Sequence, residues 1–205
     1  MKKIVLSVLT CLIVSICLAD NWDYPYVDLE LPSGTLWATC NVGAGNPWEH
    51  GTFYKWAETM PSKESTGDKY WDSQRGEYSK YGSLSENPKR EVLEASDDAA
   101  TVNMGNNWRM PTIEEWNELR EYCDWVWIAN YQGKSVNGYQ VISKKNPNKS
   151  IFLPAYFGYG DYWSASRGIV GSRKGAGIEF YERRVGRCDF ERKRGLMVRA
   201  VMSKK

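Results

Sequence analysis

The sequence predicts an α+β domain with few helices and irregular, short antiparallel strands. Three observations point there. One amphipathic helix with a complete start signal sits in mid-chain, a hairpin pattern lies near the beginning, and short apolar stretches cut by glycines fill the last third.

Taken in order, the chain opens on an export signal, Met1 to Ala19. Lys2 and Lys3 form its charged start, Ile4 to Leu18 its apolar run, and Cys17-Leu18-Ala19 its cleavage region. The run is too short for a membrane span, which needs about 20 apolar residues. A lipid on Cys17 is a second possibility, disfavoured by the bulky Ile16 before it; membrane contact is expected only in that case. The chain from residue 20 to residue 205 then reads as one domain.

Tyr24 to Val42 predicts a β-hairpin. Leu29 and Leu31 alternate with Asp28 and Glu30, Pro32-Ser33-Gly34 supplies the turn, and Leu36, Ala38, Cys40 and Val42 are placed inward. Phe53 to Ala57 reads as another short strand. Residues 58–90 are polar and aperiodic, which predicts a surface insertion with isolated aromatics at Tyr70, Trp71, Tyr78 and Tyr81. Ser96 to Ala100 looks like the capped start of a short helix ending before Gly105. A longer helix follows, because Thr112 and Glu115 form a capping box; Ile113, Trp116, Leu119 and Cys123 share its inward face. Strands are expected over Trp125 to Ala129, Gly138 to Ser143, Ser150 to Leu153, Tyr162 to Ala165, Ala176 to Tyr181 and Leu196 to Val201.

The charges are split along the chain. Without Lys2 and Lys3 the basic and acidic residues balance at 25 each, yet Arg167 to Lys205 holds 12 basic against 4 acidic side chains. Either this tail forms a basic face or the acids of the first part neutralise it. Export argues against nucleic acid as a partner. Trp 10 and Tyr 13 outnumber Phe 5, a balance that suits rings with both an apolar face and a polar edge, as sugar or protein ligands require. Of five cysteines, Cys40, Cys123 and Cys188 lie beyond the signal. Cys40 and Cys123 both fall on inward faces, leaving a disulfide between them or two packed thiols as the alternatives. Cys188, between Arg187 and Asp189, reads as more exposed.

Four segments, VDLELPSGTLWATCNVG from Val27, DDAA from Asp97, WRMPT from Trp108 and YWSAS from Tyr162, together resemble the Fibrobacter succinogenes major paralogous domain family. Arg109 to Trp116 is also similar to a segment of formylglycine-generating sulfatase-modifying factors. The resemblance implies a C-type-lectin-like fold of the formylglycine-generating-enzyme type, with Leu29 to Val42 and Leu196 to Val201 joining the two ends of the chain in a sheet. It further implies an irregular half that presents ligand-binding loops. Relatives that oxidise thiols need a cysteine pair in the C-terminal part, where this chain has Cys188 alone; iron-dependent relatives use clustered histidines, where this chain has His50 alone, in a glycine-flanked loop expected at the surface.

The expectation is therefore a non-enzymatic binding domain, exported to the periplasm, cell surface or medium, with a glycan or an extracellular protein as partner and no cofactor or metal. A divergent metal-dependent oxidase and a structural surface subunit are the alternatives. Trp163, Arg167, Arg173, Tyr181, Arg183, Arg184 and Arg187 are the ligand candidates, since rings and guanidinium groups interleave there. Asp97, Asp98, Trp108, Arg109, Thr112, Glu115 and Trp116 are expected to be structural, with Arg109 pairing to Asp97 or Asp98.

Overall fold

The structure is a computed structural model, and it describes residues 24–82, 91–169 and 173–204; the export signal lies outside them. Strand β1 (Tyr26–Asp28) pairs antiparallel with β2 (Thr35–Asn41), and the last strand, β11 (Arg199–Ser203), lies on the other side of β2. The two ends of the described chain thus share one sheet. A second sheet has the order β5 (Cys123–Ile128), β6 (Gly138–Ser143), β7 (Ser150–Pro154). A third runs β10 (Arg184–Glu191), β9 (Lys174–Tyr181), β8 (Gly160–Arg167), and a two-stranded ribbon pairs β3 (Trp71–Asp72) with β4 (Glu77–Tyr78). Helices α1 (Ala99–Met104) and α2 (Ile113–Tyr122) complete an α+β architecture.

Two apolar clusters form the core, one around Trp37, Trp116, Tyr162 and Phe180, the other around Trp56, Trp108, Trp163 and Phe190. Strand β2 lies between them: Trp37 packs into the first cluster and Ala38 into the second. Both faces of the strand are covered, so simple alternation fails there and Cys40 is half-buried rather than inward.

Helix α2 starts as expected. Thr112 Oγ1 accepts from the Glu115 N–H at 3.3 Å, the Glu115 carboxylate accepts from the Thr112 N–H at 2.8 Å, and Ile113, Trp116 and Leu119 are buried. Thr112→Ala removes one acceptor of this box and should cost about 1 kcal/mol, a fall of about 3 °C in Tm by calorimetry. Arg109 corrects the expected pairing. It forms a two-pronged bond to Glu115, at 2.6 and 2.5 Å, while Asp98 caps α1 through the Ala100 and Thr101 N–H groups and holds the Met110 N–H.

Other departures have local causes. Phe53 to Ala57 is no strand: Tyr54 makes isolated bridges to Pro61 and Leu196, and Ala57 adopts a left-handed φ of 65°. Leu196 and Met197 are spent on bridges to Tyr54 and Tyr162, so the last strand begins only at Arg199. Strand β10 was not expected at all. Cys40, Cys123 and Cys188 are free thiols, which corrects the possible bridge between Cys40 and Cys123. Burial pushes the Cys123 thiol up to about 12, and Cys188 is half-buried against the second cluster.

The described part of the 58–90 insertion is packed, with its aromatics in contact. Tyr81 lies against Trp56 and Tyr70, at 5.3 and 6.0 Å between ring centroids, and Trp71 against Tyr78 at 5.2 Å. Asp97, buried at 1% exposure, ties this segment down by accepting from Lys69, Tyr70 and Lys80 at 2.6 Å each and from Tyr81 at 2.8 Å.

Candidate functional site

The basic residues of the C-terminal part do not gather on one face. Arg192 and Arg199 are buried, at 1% and 0% exposure. Arg192 lies between the Trp56 and Tyr78 rings, at 4.5 and 4.3 Å from their centroids, and donates to the Lys80 and Tyr81 carbonyls. Lys204 pairs with Asp28 at 2.9 Å, across the sheet that joins the two chain ends. The acids of the first part therefore neutralise only some of the positive charge; backbone carbonyls and rings hold Arg192 and Arg199.

The seven ligand candidates accordingly separate. Trp163 is fully buried, donating from its ring N–H to the Tyr54 carbonyl at 2.7 Å, and belongs to the core. Arg167, 5% exposed, donates to the Gly82 carbonyl. Arg173 stacks on Trp71 at 4.6 Å, on the ribbon. Arg187 pairs with Asp189 at 3.3 Å on the face of β10 opposite to Arg184. Tyr181, Arg183 and Arg184 stay together at the turn between β9 and β10, exposed.

A second turn adjoins this one, and its aromatics were not among the candidates read from the sequence. Tyr156 and Tyr159 exchange backbone hydrogen bonds of 2.7 and 3.1 Å, closing a two-residue hairpin whose central residues have φ of 49° at Phe157 and 87° at Gly158. Two consecutive left-handed residues are what such a tight turn needs, and Asn-Gly is its usual occupant. A phenylalanine there is strained. Phe157 is nevertheless 86% exposed, with Tyr156 at 47%, Tyr159 at 56% and, across the gap, Tyr181 at 36%. The Tyr159 and Tyr181 rings are 6.0 Å apart.

Both turns are fixed from beneath. Tyr156 stands edge-on to Phe53 and His50, at 5.2 and 5.1 Å, and His50 donates from Nε2 to the Ala155 carbonyl at 3.0 Å. His50 is thus a half-buried brace rather than a free surface residue. The buried Tyr139 hydroxyl is shared between the Tyr181 and Glu182 carbonyls at 3.2 and 3.0 Å.

Beside the rings lie polar groups of both kinds. Asp161 and Glu179 are register partners on β8 and β9, and Glu179 faces the same way as Tyr181 two residues on. Arg194 donates to Asp161 Oδ2 at 2.8 Å, while Oδ1 is buried without a hydrogen bond among the described residues. Burial raises the Asp161 pKa, with Arg194 opposing and the Glu179 charge adding to the rise. Arg184 sits opposite Tyr181, and the Tyr181 hydroxyl is the chief cause of its raised pKa. Next to it, Gly186 opposes Glu179, and a Cβ there would meet only Arg184 Nε, at 3.9 Å, so the sheet floor is open.

A groove of about 1140 Å³ lies elsewhere, between Met202 to Lys204 and the Asn106 to Arg109 segment. Its charged groups are already engaged: Arg109 with Glu115, Lys204 with Asp28, and Asp98 with the α1 cap. The two adjoining turns are therefore the better candidate. Among the described residues, no three of His, Cys, Asp and Glu converge as metal ligands, and no helix is long and apolar enough to cross a membrane. No family model, curated protein or solved structure matches the chain.

Proposed function

We propose that this chain is an exported, non-enzymatic binding domain of C-type-lectin-like architecture, related to the Fibrobacter succinogenes major paralogous domain family, that holds a glycan or an extracellular protein on the two adjoining turns. The observation that carries the reading is Phe157. A bulky residue at positive φ costs of order 1 kcal/mol or more, and such strain is kept where the side chain has work to do. Here the ring is held outward, on a braced turn, edge-on to Tyr156, with the Tyr159 and Tyr181 pair at the adjoining turn.

Phe157→Asn is the test, because asparagine tolerates the left-handed conformation and removes the ring. Its Tm should stay within about 2 °C of the parent or rise, while binding to the ligand captured on arrays of oligosaccharides and extracellular proteins should fall about 10-fold. Unchanged binding, with the fold intact, would remove the turn from the site.

A further inference from the structure

Resting on that reading, we infer that the ligand of the two turns is a neutral, hydroxyl-rich glycan. The charge balance of the site carries this. Arg183, Arg184 and Arg194 supply three positive charges beside the rings, and Asp161, Glu179 and Glu182 supply three negative ones. Arg194 is already bonded to Asp161. The Arg184 charge is favoured by the Tyr181 hydroxyl and by Glu179. An anionic chain would find as many carboxylates as guanidinium groups, so it gains nothing over a neutral one.

What the site does offer is the pairing a sugar ring needs. A pyranose presents an apolar C–H face and a rim of hydroxyls, each of which donates and accepts. Tyr159 and Tyr181 provide ring faces and edges for the first. For the rim, Glu179 is an acceptor and Arg184 a donor on neighbouring positions of one sheet face, above the open floor at Gly186. Stable protein interfaces bury roughly 800 Å² on each partner, whereas the exposed apolar surface of the two turns is four rings, Tyr156, Phe157, Tyr159 and Tyr181.

The experiment is calorimetric titration of the exported chain with neutral oligosaccharides, with sulfated and uronic-acid oligosaccharides, and with the extracellular proteins that the arrays retain. Neutral oligosaccharides should bind. Their affinity should change less than about 2-fold between about 50 and 500 mM salt, because screening has no net charge to act on. Tyr181→Ala and Tyr159→Ala should each weaken it about 10-fold at unchanged Tm, with Tyr181→Phe keeping most of it. Preference for the acidic sugars, with affinity falling at least about 10-fold over the same salt range, would overturn the neutral-glycan inference and leave the binding-domain reading standing. Binding of a protein alone, sensitive to Phe157→Asn, would do the same. Absence of any binding partner in all three sets would overturn both.

Discussion

Arg199→Met should destabilise the domain by about 3 kcal/mol, read as a lower urea midpoint at unchanged m-value. Arg199 is fully buried and its guanidinium bridges two strands, β2 and β7. Nε donates to Asn41 Oδ1 at 2.8 Å, Nη1 to the carbonyls of Ala38 and Thr39 at 2.9 and 2.8 Å, and Nη2 to the Phe152 carbonyl at 2.9 Å. Methionine fills similar space and donates nothing, so these acceptors lose their partners, at about 1 to 3 kcal/mol for each one left buried. Burial lowers the Arg199 pKa, the sign of a desolvated charge, and removing that charge returns part of the loss. Arg199→Lys should not rescue, because a single ammonium cannot span β2 and β7 together. The damage should also reach the Tyr156 turn. Asn41 donates to the His50 carbonyl at 2.9 Å and to the Tyr162 hydroxyl at 3.3 Å, which in turn donates to the Pro154 carbonyl at 2.9 Å, just ahead of the Tyr156 turn. A loss below about 1 kcal/mol would mean that the carbonyls find other donors and that Arg199 is no clamp.

What could be read in advance was what is local. Helix α2 shows in the sequence because its cap, its box partner and its apolar stripe all lie within Thr112 to Leu119. Strand β6 shows because Gly138 and the Asn146-Pro147-Asn148 turn frame it. Strand β10 does not. Its Arg-Val-Gly-Arg-Cys-Asp-Phe-Glu run has no clean alternation, most of its positions are half-buried, and its register is set by β9. The arginines misled for a related reason. Composition counts Arg192 and Arg199 as surface charge, and nothing within a few residues of either reveals the carbonyls and rings that bury them. The candidate site was half legible: Tyr181, Arg183 and Arg184 were found through interleaved rings and charges, whereas Phe157 and Tyr159 were not among the candidates. Three aromatics in a four-residue turn was the signal available there.

Asp97→Asn should cost about 3 kcal/mol at neutral pH and flatten the acid side of the stability profile. The carboxylate is almost fully buried and serves two lysines and two tyrosines, the links that tie the Tyr70 to Tyr81 segment to the chain ahead of α1. An amide presents an N–H₂ to neighbours that are themselves donors, so one side of the group meets only N–H and O–H. The magnitude sits at the low end for a broken buried pair because Lys69 is 43% exposed and Lys80 16%. Burial alone would raise the Asp97 pKa; the hydrogen bonds from Lys69, Lys80, Tyr70 and Tyr81 outweigh it and hold the carboxyl well below the usual range. The unfolded chain therefore takes up a proton near the ordinary value of 3.8 while the folded chain resists it. The Asp97 contribution is complete above about pH 5 and falls away as the pH drops below about 4 toward the depressed folded value. Lys80, raised in the folded state although burial acts against it, contributes in the other direction: its share is complete below its ordinary 10.5 and is lost only as the pH climbs beyond that. The gap between the urea midpoints of the parent and the Asn variant should thus be smaller at about pH 3 than at about pH 7. A gap that stays constant with pH would assign the loss to packing and leave the charge of Asp97 without a role.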